Sequence, residues 1–315
     1  MYYLAFDVAK KKVDGVLMTK TFKIKERLLL ENSPQALRDL LLRIKTNHPH
    51  LTIGAESTGI YHLPILKACE ETGLNCTIIN PLLTRQILKS SIRKRKTDSD
   101  DAVRIAKLLM QNEGRVMAYR EATNKSKIYV RSTLKLSELY QALSLHKKYL
   151  GKVLDEIPEV IVQEEKELGQ ALKRMKKEAI AASPVKERKL LESLPGIGPW
   201  LASVILAETD SIKRFKNADS LIAYAGLDPT IKQSGANLNT QGKLTKRGSK
   251  QLRWALTCAA GIAKIHDPEL KRYYLKKRSE GRKYREALCI VGRKLAYRIY
   301  AVLKRETPYL IKKDK

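Results

Sequence analysis

The first 110 residues alternate between short apolar segments with the periodicity of β-strands and longer segments with the periodicity of helices. A period of two marks a half-buried strand, and a period near 3.6 marks an amphipathic helix. The strand patterns cover residues 2–9, 13–18, 21–30, 51–56 and 75–79, and the helix patterns cover residues 35–45, 60–72 and 101–111. This alternation predicts a mixed α/β sheet in the N-terminal part of the chain.

The order of these segments narrows the topology further. Three strands come first and are followed by helix, strand, helix, strand and helix, which is the order of the ribonuclease-H-like fold. Asn32, Ser33 and Pro34 form a helix start before the first helical segment, since Pro suits an early helical position. The sequence therefore predicts a ribonuclease-H-like domain at the N-terminus.

The remaining chain has helical patterns of two kinds. Residues 120–192 are highly charged, carry apolar residues at helical spacing and contain Pro158 and Pro184 as breakers. We expect two long helices there, in the form of a coiled-coil hairpin that serves as a spacer or a dimerisation arm. From Leu194 onward the helical pattern is interrupted by glycines, which predicts a mainly helical C-terminal domain.

Basic residues outnumber acidic residues, most strongly toward the C-terminus. The chain has 62 Lys+Arg against 33 Asp+Glu, a net charge of +29. Residues 230–315 hold 23 basic and 6 acidic residues, so +17 of the excess lies in the last quarter. Such a concentration predicts a phosphate-binding surface whose affinity falls steeply with salt. The alternative is that the lysines only keep the protein in solution.

Composition excludes several other classes of protein. Hydrophobic residues make up 43% of the chain, which is enough for buried cores and excludes wholesale disorder. The four cysteines form no C-x-x-C pair, which argues against a disulfide framework or a cysteine zinc site and favours a reducing cytoplasm. No apolar stretch reaches the roughly 18–20 residues that span a bilayer, and the N-terminus lacks the basic segment of a signal peptide. We therefore expect an intracellular protein that binds nucleic acid and no membrane.

Four carboxylates lie at the ends of predicted elements. Asp7 and Glu56 end strands, and Asp98 and Asp101 lie three residues apart at the start of a helix, hence on one face. Four converging oxygen ligands suit Mg²⁺ or Mn²⁺, and two such ions about 3.5–4 Å apart stabilise the attacking and leaving oxygens of a phosphodiester. The alternatives are that Asp98 and Asp100 cap the helix and that Asp7 is an ordinary strand residue.

Residues 194–199, Leu-Pro-Gly-Ile-Gly-Pro, have the form of a helix-hairpin-helix. Gly196 and Gly198 would let backbone N–H groups approach a phosphate at a helix N-terminus. The alternative is a plain turn between packed helices.

Ser234 lies in a stretch rich in glycine and basic residues. A serine needs nearby cations or a base to attack a phosphorus atom. The nearby basic residues are Lys232, Lys243, Lys246, Arg247 and Arg253. Judged by spacing alone, Ser234 is a turn residue, and a catalytic role needs further support.

The motifs occur in an order that is found in one family of enzymes. In the N-terminal half they are Phe-Asp-Val-Ala-Lys at 6–10, Glu-Ser-Thr-Gly-Ile-Tyr at 56–61, Asn-Pro at 80–81 and Lys-Thr-Asp-Ser-Asp-Asp-Ala at 96–102. In the C-terminal half they are Leu-Pro-Gly-Ile-Gly at 194–198, Ala-Gly-Leu-Asp-Pro at 225–229, Ser-Gly at 234–235, Lys-Arg-Gly at 246–248 and Leu-Arg at 252–253. Together they resemble the DEDD transposases of the insertion-sequence family one hundred and ten, relatives of the Piv DNA invertases. The match is weakest in the helical middle.

The resemblance implies a specific set of site residues. By motif, Asp7, Glu56, Asp98 and Asp101 would bind Mg²⁺ or Mn²⁺ in a RuvC-like domain, and Asp100 could substitute as a ligand. Ser234 would become covalently attached to DNA. Residues expected to contact nucleic acid are Lys96, Gly196, Gly198, Lys232, Lys246, Arg247 and Arg253.

The resemblance also implies domains and partners. We expect a RuvC-like DEDD catalytic domain at 1–115, a helical coiled-coil linker or dimerisation region at 116–190, and a C-terminal transposase domain at 191–315. Donor and target DNA and a structured guide RNA would be the partners. The enzyme would act as a dimer of dimers that pairs the acidic domain of one subunit with the serine domain of another. Its location would be the cytoplasm of a bacterium or archaeon, in association with the nucleoid.

Three functions are compatible with these residues. The leading hypothesis is a transposase that cuts and rejoins DNA through a covalent phosphoserine intermediate. The second is a RuvC-like nuclease or Holliday-junction resolvase in which water is the nucleophile and Ser234 is structural. The third is a non-catalytic nucleic-acid-binding protein in which the acids are helix caps.

Overall fold

The computed structural model describes residues 1–57, 60–90, 98–119, 121–229 and 244–311. The chain divides into two compact units, Met1–Arg120 and Glu121–Lys315. The helical middle expected at 116–190 lies mainly in the second unit, and its status as a separate domain stays a prediction. None of the helices among the described residues is long and apolar enough to cross a membrane.

The first unit is built on one six-stranded sheet. Its strands are β1 (Tyr2–Val8), β2 (Lys12–Thr19), β3 (Ile24–Glu31), β4 (Leu51–Glu56), β5 (Cys76–Ile79) and β6 (Arg115–Met117). The order across the sheet is β3-β2-β1-β4-β5-β6, with β1, β2 and β3 antiparallel, β4 and β5 parallel to β1, and β6 antiparallel to β5. The predicted mixed sheet is confirmed, and its first five strands occur at the predicted places along the chain.

Helices cover both faces of this sheet. They are α1 (Pro34–Asn47), α2 (Leu63–Glu71), α3 (Pro81–Ser90) and α4 (Asp98–Met110). Side chains alternate along β1, so that Leu4 and Phe6 pack with the core under α1 and α2, while Tyr3 and Ala5 pack with the core under α4. Ser33 begins α1 as predicted, because its hydroxyl accepts a hydrogen bond from the Ala36 N–H at 3.3 Å.

Two elements of the first unit were not predicted from the sequence. Helix α3 begins at Pro81, just after the segment 75–79 that is predicted as a strand, and no helix is predicted there. The Asn80 side chain accepts from the Leu82 N–H at 3.0 Å, so the Asn-Pro pair both ends β5 and starts α3. Strand β6 has only three residues and lies at the sheet edge, which is too short for a periodic pattern.

The second unit is helical in its described residues, apart from an isolated bridge between Pro229 and Leu244. Its helices are α5 (Glu121–Leu150), α6 (Glu159–Ala181), α7 (Val185–Glu192), α8 (Pro199–Thr209), α9 (Ala218–Ala225), α10 (Lys250–His266), α11 (Pro268–Ser279) and α12 (Tyr284–Arg305), with a 3-10 turn at Ile212–Arg214. The two long helices expected in 120–192 are α5 and α6, and Pro184 is followed by a third, α7.

Helices α5 and α6 form an antiparallel hairpin. The Lys147 ammonium lies 2.6 Å from a Glu165 carboxylate oxygen, and the Tyr140 ring covers Gly169. As the chain advances along α5 its contacts move backward along α6, which is the signature of antiparallel neighbours. A coiled-coil winding of this pair stays a prediction.

The core of the second unit lies among α8, α10 and α12. Every residue of α8 from Ala202 to Thr209 is buried, and small residues such as Ala259 and Ala263 of α10 allow close helix contacts. Since α10 and α12 supply both the core and much of the positive charge, the basic C-terminal quarter is an integral part of this unit.

Candidate active site

Two of the predicted acids lie side by side at the carboxyl ends of β1 and β4. The parallel register pairs Phe6 with Ala55, so Asp7 and Glu56 occupy the next positions along the two strands. Asp7 shares the face of Ala5, which packs toward α4. Glu56 shares the face of Gly54, where an added Cβ would lie 2.5 Å from Leu109 of α4. Both carboxylates therefore lie on the α4 side of the sheet.

Helix α4 contributes the other predicted acids. It begins at Asp98, so Asp98, Asp100 and Asp101 all belong to its first turn, as the spacing predicts. Asp101 forms an ion pair with Arg104 one turn further along. The side chain of Asp98 lies outside the described residues, and so does Lys96.

Two side chains beside these acids were not identified from the sequence. The buried Thr84 hydroxyl of α3 donates to a Glu56 carboxylate oxygen at 2.8 Å and so orients it. Asp14 of β2 lies opposite Asp7 in the antiparallel register and pairs with Lys12 at 3.3 Å. Thr84 belongs to the unpredicted helix, and the register that brings Asp14 beside Asp7 depends on a turn that the sequence did not specify.

The donor set fits a hard divalent cation in its chemistry, because it consists of carboxylate oxygens only. Among the described residues, no three His, Cys, Asp or Glu side chains lie close enough together to hold a metal ion. The arrangement is therefore two half-buried acids on neighbouring strands, Asp7 and Glu56, with Asp101 engaged by Arg104.

Ser234 lies outside the described residues, as do Lys232 and Lys243. The chain on either side of the segment 230–243 is described and forms a closed stem, which we call the serine-loop stem (residues 225–229 and 244–249). Pro229 and Leu244 form an antiparallel bridge, and the Thr245 N–H donates to the Asp228 carbonyl at 3.0 Å. Both ends of the segment therefore leave the second unit from one place.

The predicted basic residues of this region differ in their environments. Lys246 and Arg247 are exposed on the stem and available to a ligand. Arg253 is half-buried and donates to the Ala225 carbonyl at 2.8 Å, so part of its role is to support the stem.

The predicted glycine hairpin is a turn between α7 and α8. Gly196 has a φ of +88°, and an added Cβ would lie 2.4 Å from the Ala259 carbonyl oxygen of α10. Gly198 is exposed, is the N-cap residue of α8 and has no atom within 4 Å of an added Cβ. Close packing therefore accounts for glycine at position 196, whereas the space around Gly198 leaves room for a ligand. Phosphate binding at either glycine stays a prediction.

A buried network next to the stem was not predicted. Glu208 of α8 has 0% exposure and accepts from Arg131 of α5, whose Nε and Nη2 lie at 2.8 and 3.1 Å from its two oxygens. The Ser249 hydroxyl donates to the same carboxylate at 2.8 Å and also accepts from the Leu252 N–H at the start of α10. A lone acid in the apolar stretch 200–209 was the available sequence signal.

The network holds Glu208 in its charged form. Burial alone raises the pKa of the Glu208 carboxyl, but the Arg131 bonds, the charges of Arg131 and Lys127 and the Ser249 bond together hold that pKa below its usual range. A charged, fully bonded carboxylate thus fixes α5, α8 and α10 to one another beside the serine-loop stem.

Comparison with known proteins decides the family. A DEDD transposase profile of the IS110 type matches residues 4–157, and the profile of the transposase IS116/IS110/IS902 family matches residues 188–275. The chain belongs to this transposase family. The first range contains Asp7, Glu56, Asp98 and Asp101, and the second range contains the serine-loop stem.

Individual relatives of this transposase-family chain match over different lengths. The pilin gene-inverting protein of Moraxella lacunata is 25% identical over 323 residues, which cover 98% of this chain and 97% of that protein. The insertion element IS110 43.6 kDa protein of Streptomyces coelicolor is 33% identical over 132 residues, which cover 42% of this chain and 31% of that protein. The Thermus thermophilus RuvC structure with a Holliday junction substrate aligns at a TM-score of 0.30 and 12% identity, over 37% of this chain and 99% of that chain.

Proposed function

We propose that this transposase cuts and rejoins donor and target DNA through a covalent bond between Ser234 and a DNA phosphate. The observation that carries the proposal is the placement of Asp7 and Glu56 at neighbouring strand ends on the face of α4, whose first turn holds Asp98 and Asp101. Family membership supports the same conclusion, because a transposase must break and re-form phosphodiester bonds.

The acidic residues would hold Mg²⁺, or Mn²⁺ as a second choice. Asp7, Glu56, Asp98 and Asp101 would be the ligands, and the ion when bound would neutralise charge at a phosphodiester. Thr84 would hold the Glu56 carboxylate in one orientation through its 2.8 Å hydrogen bond. When the ion binds, Asp101 would either leave Arg104 or bind Arg104 and the ion at the same time.

Ser234 would act by direct displacement. Its oxygen would form a bond to phosphorus while the bond from phosphorus to the leaving strand breaks, and the released strand end would carry away a proton. The phosphoserine ester conserves the free energy of the phosphodiester, so rejoining needs no external energy source. Lys246 and Arg247, exposed on the serine-loop stem, would place positive charge beside the phosphates.

The remaining partners follow from the resemblance and from charge. A structured guide RNA would pair with donor and target DNA, and the net charge of +29 suits a complex with several nucleic-acid strands. The antiparallel α5–α6 hairpin would serve as the dimerisation arm in a homo-oligomer that combines sites from different subunits.

The serine assignment is tested by trapping the intermediate on a nicked DNA substrate. Wild-type protein should carry DNA that survives boiling in detergent, and peptide mapping should place that DNA on the segment 232–243. Ser234→Ala should bind DNA normally and form no adduct, whereas Ser279→Ala, an exposed serine of α11, should behave as wild type. Metal-dependent cleavage without any adduct would favour the nuclease or resolvase alternative, and no cleavage at all would favour a non-catalytic role.

The metal assignment is tested separately. Asp7→Asn and Glu56→Gln should abolish strand cleavage and leave DNA binding intact, because these acids would hold the ion and not the DNA backbone. Asp14→Asn is the matched control, since Asp14 lies on the same sheet face but pairs with Lys12. Cleavage at wild-type rates by Asp7→Asn and Glu56→Gln would contradict the assignment.

A further inference from the structure

Two basic side chains of α5 share one side of that helix beside the buried Glu208. Lys127 and Arg131 are four residues apart, and hence one turn apart on the same face. Arg131 uses its Nε and Nη2 on the Glu208 oxygens, at 2.8 and 3.1 Å. The ion pair between Arg131 and Glu208 fixes the position of the α5 turn that carries Lys127.

Arg214 brings a third cation to the same place. It ends the 3-10 turn after α8, and its guanidinium carbon lies 4.5 Å from the centre of the Tyr224 ring and 5.0 Å from that of Phe215. Its Nη1 donates to the Thr209 carbonyl at 3.3 Å, while its buried Nε has no hydrogen-bond partner among the described residues. Stacking thus holds the guanidinium in place and leaves donor capacity unused.

Among the described residues, no counter-ion lies at bonding distance from the Lys127 ammonium. Lys127 is half-buried, and in the part of the chain that the structure describes it forms no hydrogen bond or ion pair. Burial lowers the pKa of Lys127, and the charges of Arg131 and Arg214 lower it further against the opposing charges of Glu208 and Asp210. A desolvated cation without a partner is costly, so a site of this kind gains stability from an anionic ligand.

The charge balance favours an anionic ligand. Three cations, Lys127, Arg131 and Arg214, face two carboxylates, Glu208 and Asp210, which leaves a net charge of +1. A phosphodiester group carries one negative charge and would bring the cluster to neutrality.

The cluster is joined directly to the serine-loop stem. The Tyr224 carbonyl, on the residue whose ring stacks on Arg214, accepts from the Ser249 N–H at 2.8 Å. The Ser249 hydroxyl in turn donates to Glu208. A ligand at Lys127 would therefore lie beside the structure that presents Ser234.

We propose that Lys127, Arg131 and Arg214 form a binding site for one backbone phosphate of a DNA strand, next to the stem of the segment that carries Ser234. The site would anchor the DNA strand while its neighbouring phosphate reacts. This inference rests on the proposed function, because it assumes that DNA is the substrate of the second unit.

The test compares Lys127→Met with Lys125→Met, an exposed lysine two residues away on the same helix. Binding of a labelled DNA duplex is measured across a range of salt concentrations. Because one phosphate is then no longer neutralised, the slope of log affinity against log salt should fall by about 0.9 in Lys127→Met and stay unchanged in Lys125→Met. An unchanged slope in Lys127→Met would overturn the proposal, as would a change that occurs with single-stranded RNA and not with DNA.

Thermal unfolding without ligand separates a binding role from a structural role. Lys127→Met should unfold at the same temperature as wild type or higher, because the substitution removes an unpaired, desolvated charge. Inorganic phosphate should raise the unfolding temperature of wild type and not that of Lys127→Met, and a lowered temperature in the variant would contradict the site. Ser234→Ala, which would form no adduct, should keep the wild-type salt slope and the rise in unfolding temperature with phosphate, so failure of the phosphate site and failure of the serine mechanism give different results.

Discussion

Gly196 illustrates how the structure can supply a reason for a glycine that the sequence does not show. Its left-handed φ of +88° and the 2.4 Å approach of an added Cβ to the Ala259 carbonyl both require glycine. The sequence predicts the turn correctly, but it cannot show that α10 packs against it, because that contact joins residues far apart along the chain. Packing alone is therefore enough to account for glycine at this position.

We expect Gly196→Ala to destabilise the second unit by about 2 kcal/mol or more, since backbone strain and a forced shift of α10 add together. Gly198→Ser is the matched control, because Gly198 begins α8 in open space and Ser is favoured at that position. Urea unfolding of the three proteins measures the difference. Equal stability of Gly196→Ala and wild type would show that α10 can move away at little cost.

Glu208 makes stability depend on pH. Because its folded-state pKa lies below its usual value, its contribution is present above the unfolded pKa and is lost as the pH falls through the folded pKa. Glu208→Gln leaves the Arg131 charge without its partner, and we expect a loss of about 3–5 kcal/mol at pH 7. The difference from wild type should shrink as the pH falls below about 4, the usual glutamate range. Denaturant unfolding at several pH values measures the difference in unfolding free energy between wild type and Glu208→Gln. A difference that stays constant with pH would contradict the charged state of Glu208.

At the scale of elements, the sheet was predictable because its strands carry strong local signals. Strand β1 has an apolar run and α1 has a capped start, and both were found within about two residues of their bounds. Helix α3 and strand β6 were missed, since one starts at a residue pair that looks like a strand end and the other is three residues long. The neighbouring placement of Asp7 and Glu56 follows from the parallel pairing of their strands, whereas the Thr84 contact depends on the missed helix.

The α5–α6 hairpin has an unusual surface for a helix pair in water. Leu145 is 71% exposed and Tyr149 is 61% exposed, and both lie near the end of α5. If the hairpin is a dimerisation arm, Leu145→Glu combined with Tyr149→Glu should shift the protein toward monomer without changing its unfolding temperature. Leu29→Glu, a change at a 70% exposed leucine of β3, is the control and should not alter the mass. Light scattering across a range of concentrations measures the mass, and an unaltered mass in the double variant would exclude this surface as the interface.

At the scale of the whole molecule, the C-terminal quarter carries most of the net positive charge and also supplies helices of the hydrophobic core. Deleting this quarter would remove α10 and α12 from the core, so it cannot serve as a test of DNA binding. Substitution avoids this problem. Lys271→Gln, Lys276→Gln and Lys304→Gln together change three exposed lysines, and Lys10→Gln, Lys11→Gln and Lys20→Gln are a matched set in the first unit.

We expect the C-terminal set to weaken nonspecific DNA binding and to reduce the salt slope by up to about 0.9 for each phosphate that is no longer neutralised. The N-terminal set should have a smaller effect, because the first 110 residues carry 19 basic and 11 acidic residues, a net of only +8. Parallel DNA-binding titrations at several salt concentrations compare the two triple variants. Equal effects would mean that the uneven charge does not determine where DNA binds.

The closed serine-loop stem has a consequence for how this transposase can diversify. Because Pro229 and Leu244 are already paired, the ends of the intervening segment are held together by the rest of the unit. For a flexible insertion between fixed ends, doubling the length costs only about 0.6 kcal/mol in chain entropy. Added length between positions 230 and 243 would therefore cost little chain entropy as long as the Pro229–Leu244 pairing is kept. Variants that differ in length between positions 230 and 243 would then share one scaffold on either side of the proposed nucleophile Ser234.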